Sequence, residues 1–413
     1  MRTILEHISE LATPVGAKAL HGTDMGNVEL IKDAAVVIED DTISAVGPTE
    51  KIREEYNTAD LVRDLSGHAV VPGFVDSHTH FLFGGYRPAE FMMRLQGASY
   101  LAIHKAGGGI ETTVQATRKQ TEDEMMTEGA KRLQDALSMG VTTMEGKSGY
   151  GLDQETELRM LRVMRTLDQT QPVDLAVTYL GAHSIPVEYR NDPDSYITFM
   201  IRTMLPIIRK DHLAEFVDVF CEEGVFSTKQ SGRLLSAAKQ EGFGTKIHAD
   251  EIVSTGGAEL AASLSCVSAD HLLMISDQGI RDLAGSQTVA TLLPCTAFCL
   301  AKPYAPARKL IDAGCAVALA SDYNPGSCFT NSIPLLFALA VIHMHMTLPE
   351  ALCAMTINGA AAIGRAETIG SIEPGKKADL VILDPPDYEF LIYNTAKNQV
   401  REVFKNGRSV YTR

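Results

Sequence analysis

An α/β fold, a (β/α)8 TIM-like barrel carrying a small β-sandwich built from both chain termini, is the architecture the sequence predicts. Three observations point to it. Strand-like and helix-like segments alternate over the middle of the chain, about 300 residues, as βα units in a parallel barrel do. Short β-like pieces with turn signals occupy both ends. Ligand-type polar residues recur where the middle strands stop, the face on which such barrels place their active sites. The expected boundaries are 1–68 together with 367–413 for the composite β-sandwich, and 69–366 for the barrel.

Bulk properties narrow the function class. The 413 residues are 45% hydrophobic and 22% charged, an ordinary globular composition with enough chain for a large core. A net charge of −15 argues against nucleic acid or an anionic membrane as partner. No 18-residue apolar run occurs, and residues 1–16 lack a signal-peptide pattern. The seven cysteines are odd in number and sit mostly in apolar runs, which reads as buried free thiols in a reducing cytoplasm.

In chain order, Ala34–Ile38 and Ile43–Val46 are strand-like, with Asp40-Asp-Thr between them. Ala69–Val71 and Phe74-Val75 form an apolar run that reads as the first buried barrel strand. A further strand is expected somewhere between His80 and Gly140. Thr121-Glu-Asp-Glu124 is a capping box, and Met126, Ala130, Leu133 and Leu137 then repeat at helical spacing until Gly140. Val141–Glu145 follows as a strand, counted as the third. Next come a helix marked by Leu158, Leu161 and Met164, and a strand over Asp174–Leu180. Val217–Phe220 is a strand candidate, and Ser227-Thr-Lys-Gln230 opens a helix as a second capping box. Thr245–His248, Ser268–His271, Thr288–Leu293 and Ala316–Ser321 are the later strands. At the carboxyl end, Asp379–Leu383 and Val400–Phe404 are strand-like, and Asn406-Gly407 before Ser409–Tyr411 is a strong hairpin signal.

The strand ends carry the chemistry. His78 and His80, two residues apart at the end of the first strand, project to one side and can share a metal. Glu145 and Tyr150 follow the third strand, and His183 follows Tyr179-Leu-Gly-Ala. His248 and Glu251 close a later strand, His271 the next, and Asp322 the last. His78, His80 and His248 with Asp322 make a mixed nitrogen–oxygen ligand set that leaves a position for water, the mark of a catalytic rather than a structural site. His343-Met-His345 lies in an apolar helical run, where residues two apart diverge, so that pair reads as structural.

A His-x-His on the first strand, a histidine on the fifth and an aspartate on the eighth resemble the metal-dependent amidohydrolase superfamily. The likeness extends through Phe83-Gly-Gly-Tyr-Arg87-Pro-Ala-Glu-Phe, Gly107-Gly-Gly-Ile110, Met144-Glu-Gly-Lys-Ser-Gly-Tyr-Gly-Leu152 and Leu180-Gly-Ala-His183. It continues through Phe220-Cys-Glu-Glu-Gly-Val-Phe-Ser227, His248-Ala-Asp-Glu251, Ala269-Asp-His271 and Asp322-Tyr-Asn-Pro-Gly-Ser327. Together these motifs resemble the imidazolonepropionase family over essentially the whole chain. The resemblance implies hydrolytic opening of the lactam ring of 4-imidazolone-5-propanoate to N-formimidoyl-L-glutamate, in histidine degradation. It implies one metal ion, zinc or iron, on His78, His80, His248 and Asp322. Substrate contacts would come from Arg87, Tyr150, His183, Glu251, Asn324, Gly326 and Ser327, with Glu251, His271 and Asp322 as the catalytic groups. A propionate tail needs a cation, and Arg87 offers a bidentate one. Cys295, where the family usually has glycine, and Thr347-Leu-Pro-Glu350 are small departures from its pattern.

The remaining expectations are a small-molecule substrate, a cytoplasmic location and a homodimer, the commonest symmetric assembly. Two other readings compete: a deaminase or cyclic-amide hydrolase of the same superfamily acting on another heterocycle, and a scaffold that keeps the barrel without chemistry. A base deaminase would have no use for Arg87. A scaffold would gain nothing from an open metal position.

Overall fold

Two eight-stranded sheets divide the strands of this chain in its computed structural model, which describes residues 1–97 and 108–413. The amino-terminal segment supplies Arg2–Pro14 (β1), Val28–Glu39 (β2), Thr42–Pro48 (β3), Leu61–Asp64 (β4) and Ala69–Pro72 (β5). The barrel then runs through Phe74–Asp76 (β6), Val141–Lys147 (β7), Asp174–Ala182 (β8), Phe216–Cys221 (β9) and Gly244–Ala249 (β10). It ends with Ser268–His271 (β11), Val289–Leu292 (β12) and Val317–Leu319 (β13). The chain returns to the first sheet as Leu380–Leu383 (β14), Val400–Lys405 (β15) and Arg408–Thr412 (β16).

Both termini thus build one mixed sheet, in the order β16-β15-β14-β5-β1-β2-β3 with β4 also on β1. Its alternation separates two cores. Leu380 and Ile382 of β14 pack with Val70, Leu5 and Ile8, whereas Val381, Leu383, Ala69 and Val71 join the large core of the barrel. Asn406 and Gly407 both take positive φ, 48° and 73°, as the hairpin between β15 and β16 requires.

The apolar run at 69–76 is two strands rather than one. β5 belongs to the terminal sheet and β6 to the barrel, and the chain changes sheets at Pro72-Gly73. A Cβ on Gly73 would stand 2.3 Å from Thr142 Oγ1, so only glycine fits this corner. The strand expected between His80 and Gly140 is also corrected. β6 pairs directly with β7, and the described residues of that interval hold the helices Pro88–Leu95, Ile110–Lys119 and Glu122–Ser138. Glu145 therefore belongs to the second barrel strand rather than the third. His248 falls on the fifth and Asp322 follows the eighth. Gly107 of the Gly107–Ile110 motif lies outside the described residues.

The barrel strands follow one another in chain order, all parallel, and are buried along nearly their whole length. The first and last strands meet just past their carboxyl ends. Asp322 N donates to His78 O at 2.9 Å and His80 N donates to Tyr323 O at 3.0 Å. Asp76 locks the seam by accepting from Ser321 N at 2.8 Å and Ser321 Oγ at 2.6 Å.

Both capping boxes form, at Thr121/Glu124 and Ser227/Gln230, and Thr347/Glu350 closes a third. Helix Glu122–Ser138 buries Met125, Leu133, Ala136 and Leu137, with Met126 and Ala130 only half-buried at the edge of that face. The helix at 339–343 ends at His343. His343 stacks on Tyr304 and His345 lies past the helix end, both exposed, so loss of the helix rather than divergence along it separates this pair.

Candidate active site

The barrel seam sets the geometry of the site. His78 and His80 lie beyond the last residue of β6, and their backbone bonds to Asp322 and Tyr323 carry the extended pairing past the strand end. Both imidazoles consequently face Asp322. His78 Nε2 is 3.6 Å and His80 Nε2 3.5 Å from Asp322 Oδ1. His248, on β10, brings its Nε2 to 3.3 Å from His80 Nε2, and its ring centroid lies 4.6 Å from that of His78. Two overlapping groups have ligand atoms within 4.8 Å of one another: His78, His80 and Asp322, and His78, His248 and His271. The structure thus brings all four expected ligands together and adds His271 beside them.

Two of the imidazoles have a carboxylate behind them. His78 Nδ1 lies 2.6 Å from Asp270 Oδ2, so it donates and its Nε2 lone pair points to the centre. His248 Nδ1 is 3.0 Å from Asp218 Oδ2. Carboxylates placed behind metal-ligating histidines in this way fix ring orientation and tautomer. His78 Nε2 and both ring nitrogens of His271 are buried with no hydrogen-bond partner among the described residues. Burial, the largest cause, holds His78, His80 and His271 well below the usual histidine range, so they are neutral donors of lone pairs. A borderline metal ion fits this set of aimed, uncharged nitrogens and one carboxylate.

Two carboxyl groups near the centre are displaced upward. Burial, with Asp322 as a neighbouring charge, raises Glu251 to about 8. Burial raises Asp322 to about 7, against hydrogen bonds from Thr296 and Asn324 that pull it down. Thr296 Oγ1 donates to Asp322 Oδ2 at 2.5 Å, leaving Oδ1 for the histidines. Glu251 Oε1 is 3.7 Å from His271 Nδ1. Asp322, His271 and Asp250 carry positive φ of 54°, 78° and 50°, a conformation that costs energy in a residue with a Cβ. Four backbone N–H groups, from Thr255 to Ala258, bond the Asp250 carboxylate and hold that turn.

The expected substrate residues line one side of this centre. His183 stacks on His80 with centroids 4.7 Å apart and donates Nδ1–H to Gly149 O at 3.1 Å, while burial lowers it to about 3. The Tyr150 ring lies 5.2 Å from His183 and 5.9 Å from His80. Asn324 Oδ1 accepts from Gly326 N and Ser327 N, both at 2.8 Å, shaping the loop after Asp322. Arg87 lies across that loop: a Cβ on Gly326 would stand 1.6 Å from its Nη2. Arg94 Nη2 donates to Gly326 O at 3.0 Å from the same side.

Sequence reading missed the residues that support the site. Asp218, Asp270, Lys147 and Lys246 are wholly buried beneath the histidines. Their signal was present, since a charge inside an apolar strand is rarely fully buried without a partner. Lys246 also shares a strand face with His248, two residues on. Glu222 accepts from Ile252 N at 2.8 Å and Val253 N at 3.3 Å and so holds the Glu251 loop. Glu157 accepts from Gly149, Gly151 and Leu152 N–H and so holds the Tyr150 loop. Neither carboxylate announces its partners in sequence.

The geometry has counterparts in known proteins. The model of the Amidohydrolase family matches residues 102–411. Among solved structures, an adenosine deaminase from Xanthomonas campestris with bound zinc superposes with a TM-score of 0.67 at 20% identity, over 99% of this chain and 93% of that one. The guanine deaminase of E. coli gives 0.70 at 15% identity, with complete coverage of both chains. Those identities speak for the fold. Sequence relatives are far nearer. An imidazolonepropionase of Clostridium tetani is 55% identical over 99% of this chain and 98% of its own length. One from Porphyromonas gingivalis is 54% identical over 100% and 98%. Similarity of that depth over nearly the whole chain means that this chain belongs to the amidohydrolase family and, within it, to the imidazolonepropionases.

Proposed function

We infer that this chain opens the ring of 4-imidazolone-5-propanoate with water, giving N-formimidoyl-L-glutamate in histidine degradation. One observation carries the reading: relatives named imidazolonepropionase match it at 51–55% identity over nearly its full length. In this reading His78, His80, His248 and Asp322 hold a single metal ion, zinc in the first place and iron as the alternative. The unpartnered nitrogen of His78 supports that assignment, as does the ring orientation that Asp270 imposes on it. The bound ion would supply Lewis acidity toward the ring carbonyl and acidify a water.

The chain's own groups do the rest. The Arg87 guanidinium receives the propionate, a bidentate match that an ammonium could not give. The Tyr150 hydroxyl and His183 Nε2 hold the ring, and the backbone of Asn324, Gly326 and Ser327 closes over it. Glu251 and Asp322 carry the proton from water to the departing ring nitrogen as the carbon–nitrogen bond breaks. His271, beside the reacting carbon, stabilises the oxygen of the carbonyl as charge builds there.

No helix among the described residues is long and apolar enough to cross a membrane, and we propose a cytoplasmic homodimer. The test is direct. Purified, metal-loaded protein is mixed with fresh imidazolone propionate and loss of its ultraviolet absorbance is followed, with Arg87→Met alongside. Rapid loss in the parent and a large rise in KM in the variant are expected. Absence of turnover, with activity instead on an aminated ring lacking a carboxylate, would transfer the chain to a deaminase reading.

A further inference from the structure

Beneath the histidines lies a second group of metal-ligand type: His78, Glu145 and Asp270 offer atoms within 4.8 Å of one another. The Lys147 ammonium occupies it. Its Nζ is 2.9 Å from Glu145 Oε1, 2.7 Å from Asp218 Oδ2 and 3.7 Å from Asp270 Oδ2, and the side chain is fully enclosed. We infer that Lys147 is a built-in cation that fills this second cluster and keeps the barrel's metal centre to a single ion. The inference rests on the proposed metal centre and adds a role to a residue outside its ligand set.

Charge bookkeeping supports it. Three buried carboxylates, Glu145, Asp218 and Asp270, face two ammonium groups, Lys147 and Lys246. Lys246 also donates to Ser77 O at 3.0 Å and Ala362 O at 3.2 Å, so it is tied to backbone carbonyls. Among the described residues, the contacts of the Lys147 ammonium are carboxylates alone. Without it, three anions would share one cation in a site closed to water, an arrangement that must take up protons or another cation. Asp218 and Asp270 are also the groups that face His248 and His78. Lys147 is therefore a positioning residue: it holds those carboxylates in place while denying their cluster to a metal.

The test counts ions. Parent, Lys147→Met and Lys147→Arg are incubated with excess zinc, desalted and assayed for metal per chain by atomic emission. One ion in the parent and in Lys147→Arg, but two in Lys147→Met, is expected. A folded Lys147→Met that holds one ion with unchanged affinity would overturn the inference. If Lys147→Met does not fold, Lys147→Met/Glu145→Gln decides, because it removes one charge of each sign. A folded double variant with one ion supports a cation role, whereas a folded double variant with two ions overturns it, as does a Lys147→Arg that keeps the charge yet fails to fold. A parent without stoichiometric metal would refute the proposed centre itself, a result separate from any difference among variants.

Discussion

Gly326→Ala is the sharpest perturbation that this site offers. The added Cβ would stand 1.6 Å from Arg87 Nη2 and 2.8 Å from Arg87 Cζ, so the guanidinium must leave its place across the loop. The neighbour that gives way is the far end of a flexible side chain, not backbone, so the fold should lose less than about 0.5 kcal/mol. The cost falls on substrate instead. A hydrogen-bonded contact to a charged group is worth about 1.5–3 kcal/mol. At about 1.4 kcal/mol per tenfold, its loss predicts a fall of roughly 10- to 150-fold in kcat/KM. The fall should sit mainly in KM, because the tail is held equally in ground and transition states. Steady-state kinetics on imidazolone propionate, read with a thermal melt, would measure both. An unchanged KM would refute the placement of Arg87 as the tail's anchor. A collapsed melting temperature would refute the claim that the methyl group meets only a movable side chain.

Two further expectations concern groups away from the tail. Glu157→Gln should loosen the loop that carries Tyr150, whose three N–H groups now share one carboxylate. A rise in KM of about tenfold and a lower melting temperature are expected, at about 1–3 kcal/mol for buried donors left poorly paired. Glu402 tests the pH dependence of the terminal sheet. Burial would raise its carboxyl, but the Arg63 fork at 2.7 Å on each oxygen, with Ser409, holds it below the usual glutamate range. A depressed folded pKa adds stability that is present above the unfolded value, near 4.5, and disappears as pH falls through the folded one. Melts of parent and Glu402→Gln should therefore differ at pH 7 and converge near pH 3. A gap that persists into acid would show that the pair is not ionic.

How much was legible before folding differs from element to element. The barrel was readable because βα units repeat and each strand is a short apolar run bounded by turn residues. The capping boxes at Thr121 and Ser227 and the Asn406-Gly407 hairpin were readable because a cap or a primed turn is settled within four residues. β1 was not. Its apolar residues Ile4, Leu5, Ile8, Leu11 and Ala12 are spaced as in a helix, yet Arg2–Pro14 is a strand. The ladder with β2 shifts register between Leu5 and Ile8, where His7 takes φ 53°. That bulge puts Leu5 and Ile8 in one core despite their odd spacing, and only pairing with β2 makes it worthwhile.

The site divides along the same line. By itself the sequence singled out the side chains that converge on the centre, since His-x-His, His248, Glu251, His271 and Asp322 are marked by residue type and by position at strand ends. Only the tertiary structure decided what stands behind them. That Asp270 faces His78 and Asp218 faces His248, that Lys147 sits among three carboxylates, and that Arg87 needs a glycine 239 positions away are contacts that exist only in the folded chain. A local pattern can specify a turn or a cap, because those energies lie within a few residues. The worth of a buried charge depends on partners that the chain meets only once it has folded.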